Sequence, residues 1–165
     1  MNIPNADGKT EIIKKWGNTQ DIIDVLLLSD KDENWVNQTK EFAQQFTPDR
    51  SGLRKLVYWV LDNIKYKIDP PGQQWIKSPA RTVADGYADC KSLTLFITAV
   101  LQHLGIKYRI RFVGYKGQVK VSHVYCIAFV DNSWLPLDTV YLLPEHGGNF
   151  GTEKKYSMVK DYEKA

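Results

Sequence analysis

A chain of 165 residues with 43% hydrophobic and 25% charged side chains is long enough for a hydrophobic core and too ordinary in composition for a disordered or membrane-embedded protein. Its 22 basic and 19 acidic residues are interspersed and leave a net charge of +3, which argues against nucleic-acid binding. Two cysteines make no disulfide framework, and neither a signal peptide nor a membrane-length apolar run is visible, so the expected location is a reducing cytoplasm, with later packaging into a particle left open.

Residues 1–9 are polar and expected to be loose. From Thr10 onward, Ile12, Ile13, Trp16, Ile22, Ile23, Leu26 and Leu27 predict a helix over 10–28, with Gly17-Asn18 as a point where it breaks in two. A second helix is predicted over Asn34 to Phe46, with Trp35, Phe42 and Phe46 inward and Thr47-Pro48-Asp49 ending it. A third runs from Ser51 to Ile64. Lys65 to Ile68 reads as extended and Asp69-Pro70-Pro71-Gly72 as a turn. The stretch that follows is expected to be a long irregular approach to Cys90, and loops of that length in a small domain tend to be functional.

Asp89 is a good helix N-cap, and Leu93, Phe96, Ile97, Val100, Leu101 and Leu104 recur at steps of three and four until Gly105 stops them. Cys90 therefore falls in the first turn of a largely buried helix. The unpaired N–H groups there favour a thiolate, the Asp89 carboxylate opposes it, and a basic partner is needed to settle the balance. For a cysteine taken by itself, filling a helix start is the commoner role.

After the helix the period changes to two. Lys107 to Tyr115 alternates as a strand, Tyr115 to Gln118 turns, Val119 to Val130 returns, Asp131-Asn132 turns again, and Ser133 to Asp138 is a third strand. Residues 144–149 form a loop, and the Lys- and Tyr-rich end makes a strand or an extended arm. The expected fold is α+β in one domain: a mainly helical part over 1–68, a core of nucleophile helix and antiparallel sheet over 69–140, and a tail over 141–165.

His123 lies 33 residues after Cys90, on the second strand, and Asp138 lies 15 further on, at the end of the third. A sheet packed on the Cys90 helix can set the imidazole beside the thiol and the carboxylate beside the imidazole, the arrangement of nucleophile, base and orienter. Acyl transfer also needs donors for a developing oxyanion; the Cys90 N–H is one, and Gln73, Gln74 or the Trp75 indole supplies the other. No zinc-ligand spacing is present, and His103, about 20 Å along the helix from Cys90 at ~1.5 Å per residue, is out of reach of a shared metal. Cys126 faces the other side of its strand from His123 and reads as packing.

The runs Asp89-Cys90-Lys91, Leu104-Gly105-Ile106, Ser122-His123-Val124-Tyr125 and Trp134-Leu135-Pro136-Leu137-Asp138, in that order, resemble the transglutaminase-like superfamily over about residues 75–140. The resemblance implies a papain-like core with Cys90 as nucleophile, His123 as general base and acid and Asp138 as orienter. Such a thiolate forms a thioester whose acyl group passes to water or to an amine; with no Asp-rich loop of calcium-ligand spacing, the expectation is metal-independent, cofactor-free hydrolysis of a peptide, isopeptide or amide bond in a peptide or protein substrate. Where the family usually has Gly before the Asp-Cys pair this chain has Ala88, whose methyl group is expected to narrow the approach to the thiol. The Ser78-Pro79 to Gly86 stretch and the small size also resemble transglutaminase-like proteins coded by bacteriophages and prophages. The alternative is a non-catalytic phage structural or accessory protein that keeps the fold and docks an assembly partner through its N-terminal helices.

Overall fold

The elements follow in the order β1 (Thr10–Ile13), α1 (Thr19–Asp30), α2 (Glu33–Asn37), α3 (Lys40–Ala43), α4 (Arg50–Asn63), β2 (Lys65–Tyr66), β3 (Gln74–Lys77), α5 (Pro79–Asp85), β4 (Tyr87–Ala88), α6 (Cys90–His103), β5 (Tyr108–Gly114), β6 (His123–Val130), β7 (Ser133–Leu137) and β8 (Met158–Glu163). The computed structural model describes residues 10–13, 19–70, 73–114 and 121–163. Four antiparallel strands make the main sheet in the order β7-β6-β5-β8. Among the described residues no helix is long and apolar enough to cross a membrane.

Helix α6 is the central element. Every residue from Lys91 to Leu101 is buried, so it is enclosed on nearly all sides, as its apolar residues on more than one face require. Phe96, Val100 and Leu101 share one core with Ile110, Phe112, Val124 and Cys126 of the sheet and with Ile23, Trp35, Phe42 and Leu53 of the N-terminal helices. Asp89 caps its start, and Gly105, with φ of 70°, adopts the left-handed conformation that ends it. Asp131 and Asn132, with φ of 53° and 62°, make the tight hairpin turn between β6 and β7. In α4, a Cβ on Gly52 would come within 1.8 Å of the Thr47 carbonyl oxygen, so the preceding loop can close on this helix only over a glycine.

Several elements differ from expectation. Residues 10–13 are a strand rather than the start of a helix: the short run Thr-Glu-Ile-Ile fits either period, and the free edge of β3 decides it. The helix begins at Thr19, and the break expected at Gly17-Asn18 lies outside the described residues. The helix expected over 34–46 is split into α2 and α3. Asp32 caps the first by accepting from the N–H groups of Asn34 and Trp35, and the Thr39 hydroxyl turns back to donate to the Val36 carbonyl oxygen at 2.9 Å.

The irregular approach is in fact built from β3, α5 and β4. Ser78 caps α5, Pro79 takes its first position and Gly86 (φ 72°) ends it, all within seven helical residues that Pro and Gly make look like loop. Strand β6 starts at His123 rather than Val119, and the turn expected at 115–118 lies outside the described residues. The C-terminal stretch is a strand, β8, added to the edge of β5.

Candidate active site

The Asp89 cap fixes the first turn of α6. Its Oδ1 accepts from the Lys91 N–H at 3.0 Å and the Ser92 N–H at 3.5 Å, while the N–H of Cys90 has no acceptor among the described residues. The Cys90 side chain is half-buried, whereas Cys126 is sealed in the core. The Thr94 hydroxyl lies 2.7 Å from the Cys90 carbonyl oxygen and 3.3 Å from that of Val124, so this turn is tied to β6 one residue beyond His123.

His123 opens β6 opposite Val113. By alternation it shares the sheet face that carries Val113, Tyr125 and Ile127, and its ring lies 5.6 Å from that of Tyr125. Its Nε2 is 3.0 Å from both carboxylate oxygens of Asp138, the residue just past the end of β7. Asp138 is itself held, since Oδ1 also accepts from the N–H groups of Val140 at 3.2 Å and Tyr141 at 3.4 Å. That leaves Nδ1 unengaged by Asp138, and the Cys90 side chain borders the same cavity as the ring. Burial opposes a charged ring, but the Asp138 and Cys90 interactions outweigh it and push His123 up to about 10. The imidazole and the carboxylate are thus hydrogen-bonded to each other, and the Cys90 thiol lines the same cavity as the ring.

The three oxyanion candidates separate. Trp75 spends its indole N–H on the Gln73 Oε1 at 3.1 Å and its backbone N–H on Asp69 at 2.7 Å, and it lines a second cavity with Lys67, Lys77 and Tyr87. Gln74 lines the same cavity as Cys90 and His123, and its side-chain amide has no partner among the described residues. Alternation along β3 is the cause, and three adjacent polar and aromatic residues show it only once 74–77 is known to be a strand.

A cluster beside the thiol is harder to read from sequence. The Lys91 side chain, 8% exposed, pairs with Asp69 at 3.2 Å and with Asp89. Burial pushes Asp89 up; Lys91 opposes this and the neighbouring Asp69 carboxylate adds to it, and the result is about 6. Lys91 is raised, because its carboxylate partners and Cys90 outweigh the cost of burial. Asp69 thereby links the approach segment to the start of α6, although in sequence it is only the first residue of a Pro-rich turn. The Ala88 methyl does not narrow the approach: the residue is 2% exposed, pairs with Tyr66 and packs in the core. His103, at the far end of α6, bonds through Nε2 to the Val36 carbonyl oxygen at 2.8 Å and takes no part in the site.

A family model described as the transglutaminase-like superfamily matches residues 37–139, an interval that contains Cys90, His123 and Asp138. No curated protein sequence matches the chain. A structure described as a "putative protease" from Parabacteroides distasonis ATCC 8503 has a similar fold, with a TM-score of 0.60 and 14% identity over 74% of this chain and 27% of that one. A "putative cysteine protease" from Cytophaga hutchinsonii is similar at a TM-score of 0.53 and 12% identity, over 93% of this chain and 58% of that one. The chain therefore spans between about a quarter and three-fifths of these neighbours, and what they share with it is the fold.

Proposed function

Since the chain belongs to the transglutaminase-like superfamily, we propose that it is a cysteine-nucleophile acyl-transfer enzyme that hydrolyses a peptide, isopeptide or amide bond. The observation that carries this reading is the buried His123 imidazole, hydrogen-bonded to the Asp138 carboxylate and lining one cavity with the Cys90 thiol.

In the first half-reaction the Cys90 sulfur, its proton resting on His123, attacks the carbonyl carbon of the substrate. The carbonyl electron pair moves to oxygen, and the Cys90 N–H and the Gln74 side-chain amide, which borders the same cavity, serve as donors to that oxyanion. Collapse of the intermediate breaks the C–N bond as the imidazolium gives its proton to the leaving nitrogen, and a thioester remains. In the second half, neutral His123 takes a proton from water, hydroxide adds to the thioester, and sulfur leaves with the acid product released. Asp138 fixes the ring so that Nδ1 faces sulfur throughout.

Alkylation with iodoacetamide, site by site, tests the nucleophile. Cys90 reacts first, and His123→Ala slows it by about tenfold or more; equal, sluggish labelling of Cys90 and Cys126 in both proteins overturns the reading. Incubation with peptide and isopeptide libraries, wild type against Cys90→Ala, then identifies the bond that is cut.

A further inference from the structure

The cavity at the Cys90 thiol has a volume of about 270 Å³. Two chemistries line it. The thiol, the His123 ring and the Gln74 amide are the groups assigned above to the reacting carbonyl. Beside Lys91 and the hydroxyl residues Thr19 and Ser122, the rest of the described lining is hydrocarbon: Ile22 and Ile23 from α1, Phe112 from β5, Val121 just before β6 and Val124 within it. Among the described residues no carboxylate borders the cavity, and the lysine that does, Lys91, already has its ammonium paired with Asp69 and Asp89.

The place of this wall follows from the reaction. A carbonyl carbon within ~3–3.5 Å of sulfur brings the residue that carries it into the same small cavity. At this size, just below the ~300–1,000 Å³ of sites that take drug-sized ligands, there is room for the side chain of about one residue beside the carbonyl. A charged side chain placed there would give up water and find no free counter-ion. An aliphatic or aromatic one would exchange water for the Ile22–Val121 surface.

Helix α1 is not free to withdraw. At its last residue the buried Asp30 carboxylate accepts from the Thr98 hydroxyl at 2.6 Å and the Tyr108 hydroxyl at 2.7 Å, and its carbonyl accepts from Gln102 at 2.9 Å. The helix lies outside the interval matched by the family model, 37–139.

We infer that the Ile22–Ile23–Phe112–Val121–Val124 wall is a specificity subsite for an apolar side chain on the residue whose carbonyl Cys90 attacks. This rests on the acyl-transfer reading given above, and it adds the substrate class: an acyl donor ending in an aliphatic or aromatic residue rather than a charged one.

N-Acetylated aminoacyl chloromethyl ketones of leucine, phenylalanine, glycine, aspartate and lysine, each alkylating Cys90 with loss of chloride, provide the test. Each rate is divided by that of iodoacetamide on the same protein, which separates recognition from thiol reactivity. The leucine and phenylalanine ketones are expected to exceed the glycine, aspartate and lysine ketones by about tenfold or more. Ile22→Asn and Val121→Asn, two half-buried positions on different elements, each lower that ratio, so misfolding of one variant does not decide the outcome. Rapid iodoacetamide labelling with no preference among the ketones, or a preference that survives in both variants, overturns the subsite and leaves the nucleophile standing. Failure of every reagent to modify Cys90 overturns both.

Discussion

At His123 the proton balance has a definite sign. An unfolded histidine titrates near ~6.5. In the folded chain burial disfavours the charged ring, yet Asp138 and Cys90 outweigh it and raise the group to about 10. The native state therefore binds this proton more tightly than the unfolded one. Its contribution to stability is complete below about pH 6.5 and is lost as the pH rises through about 10. The same proton is the one that reaches the leaving nitrogen, so the Cys90-dependent rate should fall on the alkaline side at about pH 10. Replacing Asp138 by Asn removes the largest upward influence. Its pH–rate profile should keep its shape while the alkaline limb moves to lower pH and the rate falls by about 10² or more. An alkaline limb unchanged in the Asn variant would mean that Asp138 does not hold the ring proton. Cys90 and Asp138 are placed by recognisable element boundaries, a capped helix start and a strand end, whereas His123 is placed only on a strand whose start the sequence sets four residues early. Gln74 is not legible, since its direction depends on which way a four-residue strand presents its alternate side chains.

Among the elements, α1 shows how a short polar contact positions a whole helix. Asp30 is buried at the end of α1 and is met by hydroxyls from α6 and β5, and burial together with its carboxylate pushes the Tyr108 phenol up, so that Tyr108 stays a donor. Asp30→Ala takes the carboxylate from the buried Tyr108 hydroxyl and leaves Thr98 only the Leu95 carbonyl oxygen, and should cost about 2 kcal/mol or more, read from urea unfolding midpoints. Asp30→Asn keeps one acceptor oxygen and should cost less. Equal stability of the wild-type and alanine proteins would show that the clamp contributes nothing. Nothing in the spacing of apolar residues reveals this contact, because its partners lie 68 and 78 residues away in the chain. The strand β1 was hidden for a similar reason: its partner, β3, lies in a stretch whose Pro and Gly residues read as loop.

The molecule as a whole is closed by its C-terminal segment. Strand β8 covers the edge of β5, with Tyr162 edge-on to Phe112 at 5.6 Å. Arg111 binds Asp161 at 2.8 Å and Glu153 at 3.0 Å, and the Tyr125 hydroxyl donates to the same Glu153. Tyr125 lies directly beside the His123 ring, so the tail braces the sheet face on which the imidazole sits. A chain ended before Met158 would bare the backbone of β5. It should melt about 10 °C or more lower and self-associate, as followed by calorimetry and light scattering. A truncated protein that stays monomeric with an unchanged melting temperature would show β8 to be an ornament of the edge.

Local chemistry is enough to place α6, its Asp89 cap, its Gly105 stop, the alternating strands around His123 and the Asp131-Asn132 turn. In each case the signal and the structure it produces lie within a few residues of one another. The partner of β1, the division of labour among Gln73, Gln74 and Trp75, the Asp69–Lys91–Asp89 cluster, the Asp30 clamp and the isoleucines over the thiol came instead from folding the chain. Each depends on groups far apart in sequence, and a residue's own period records that it is buried without recording what it is buried against.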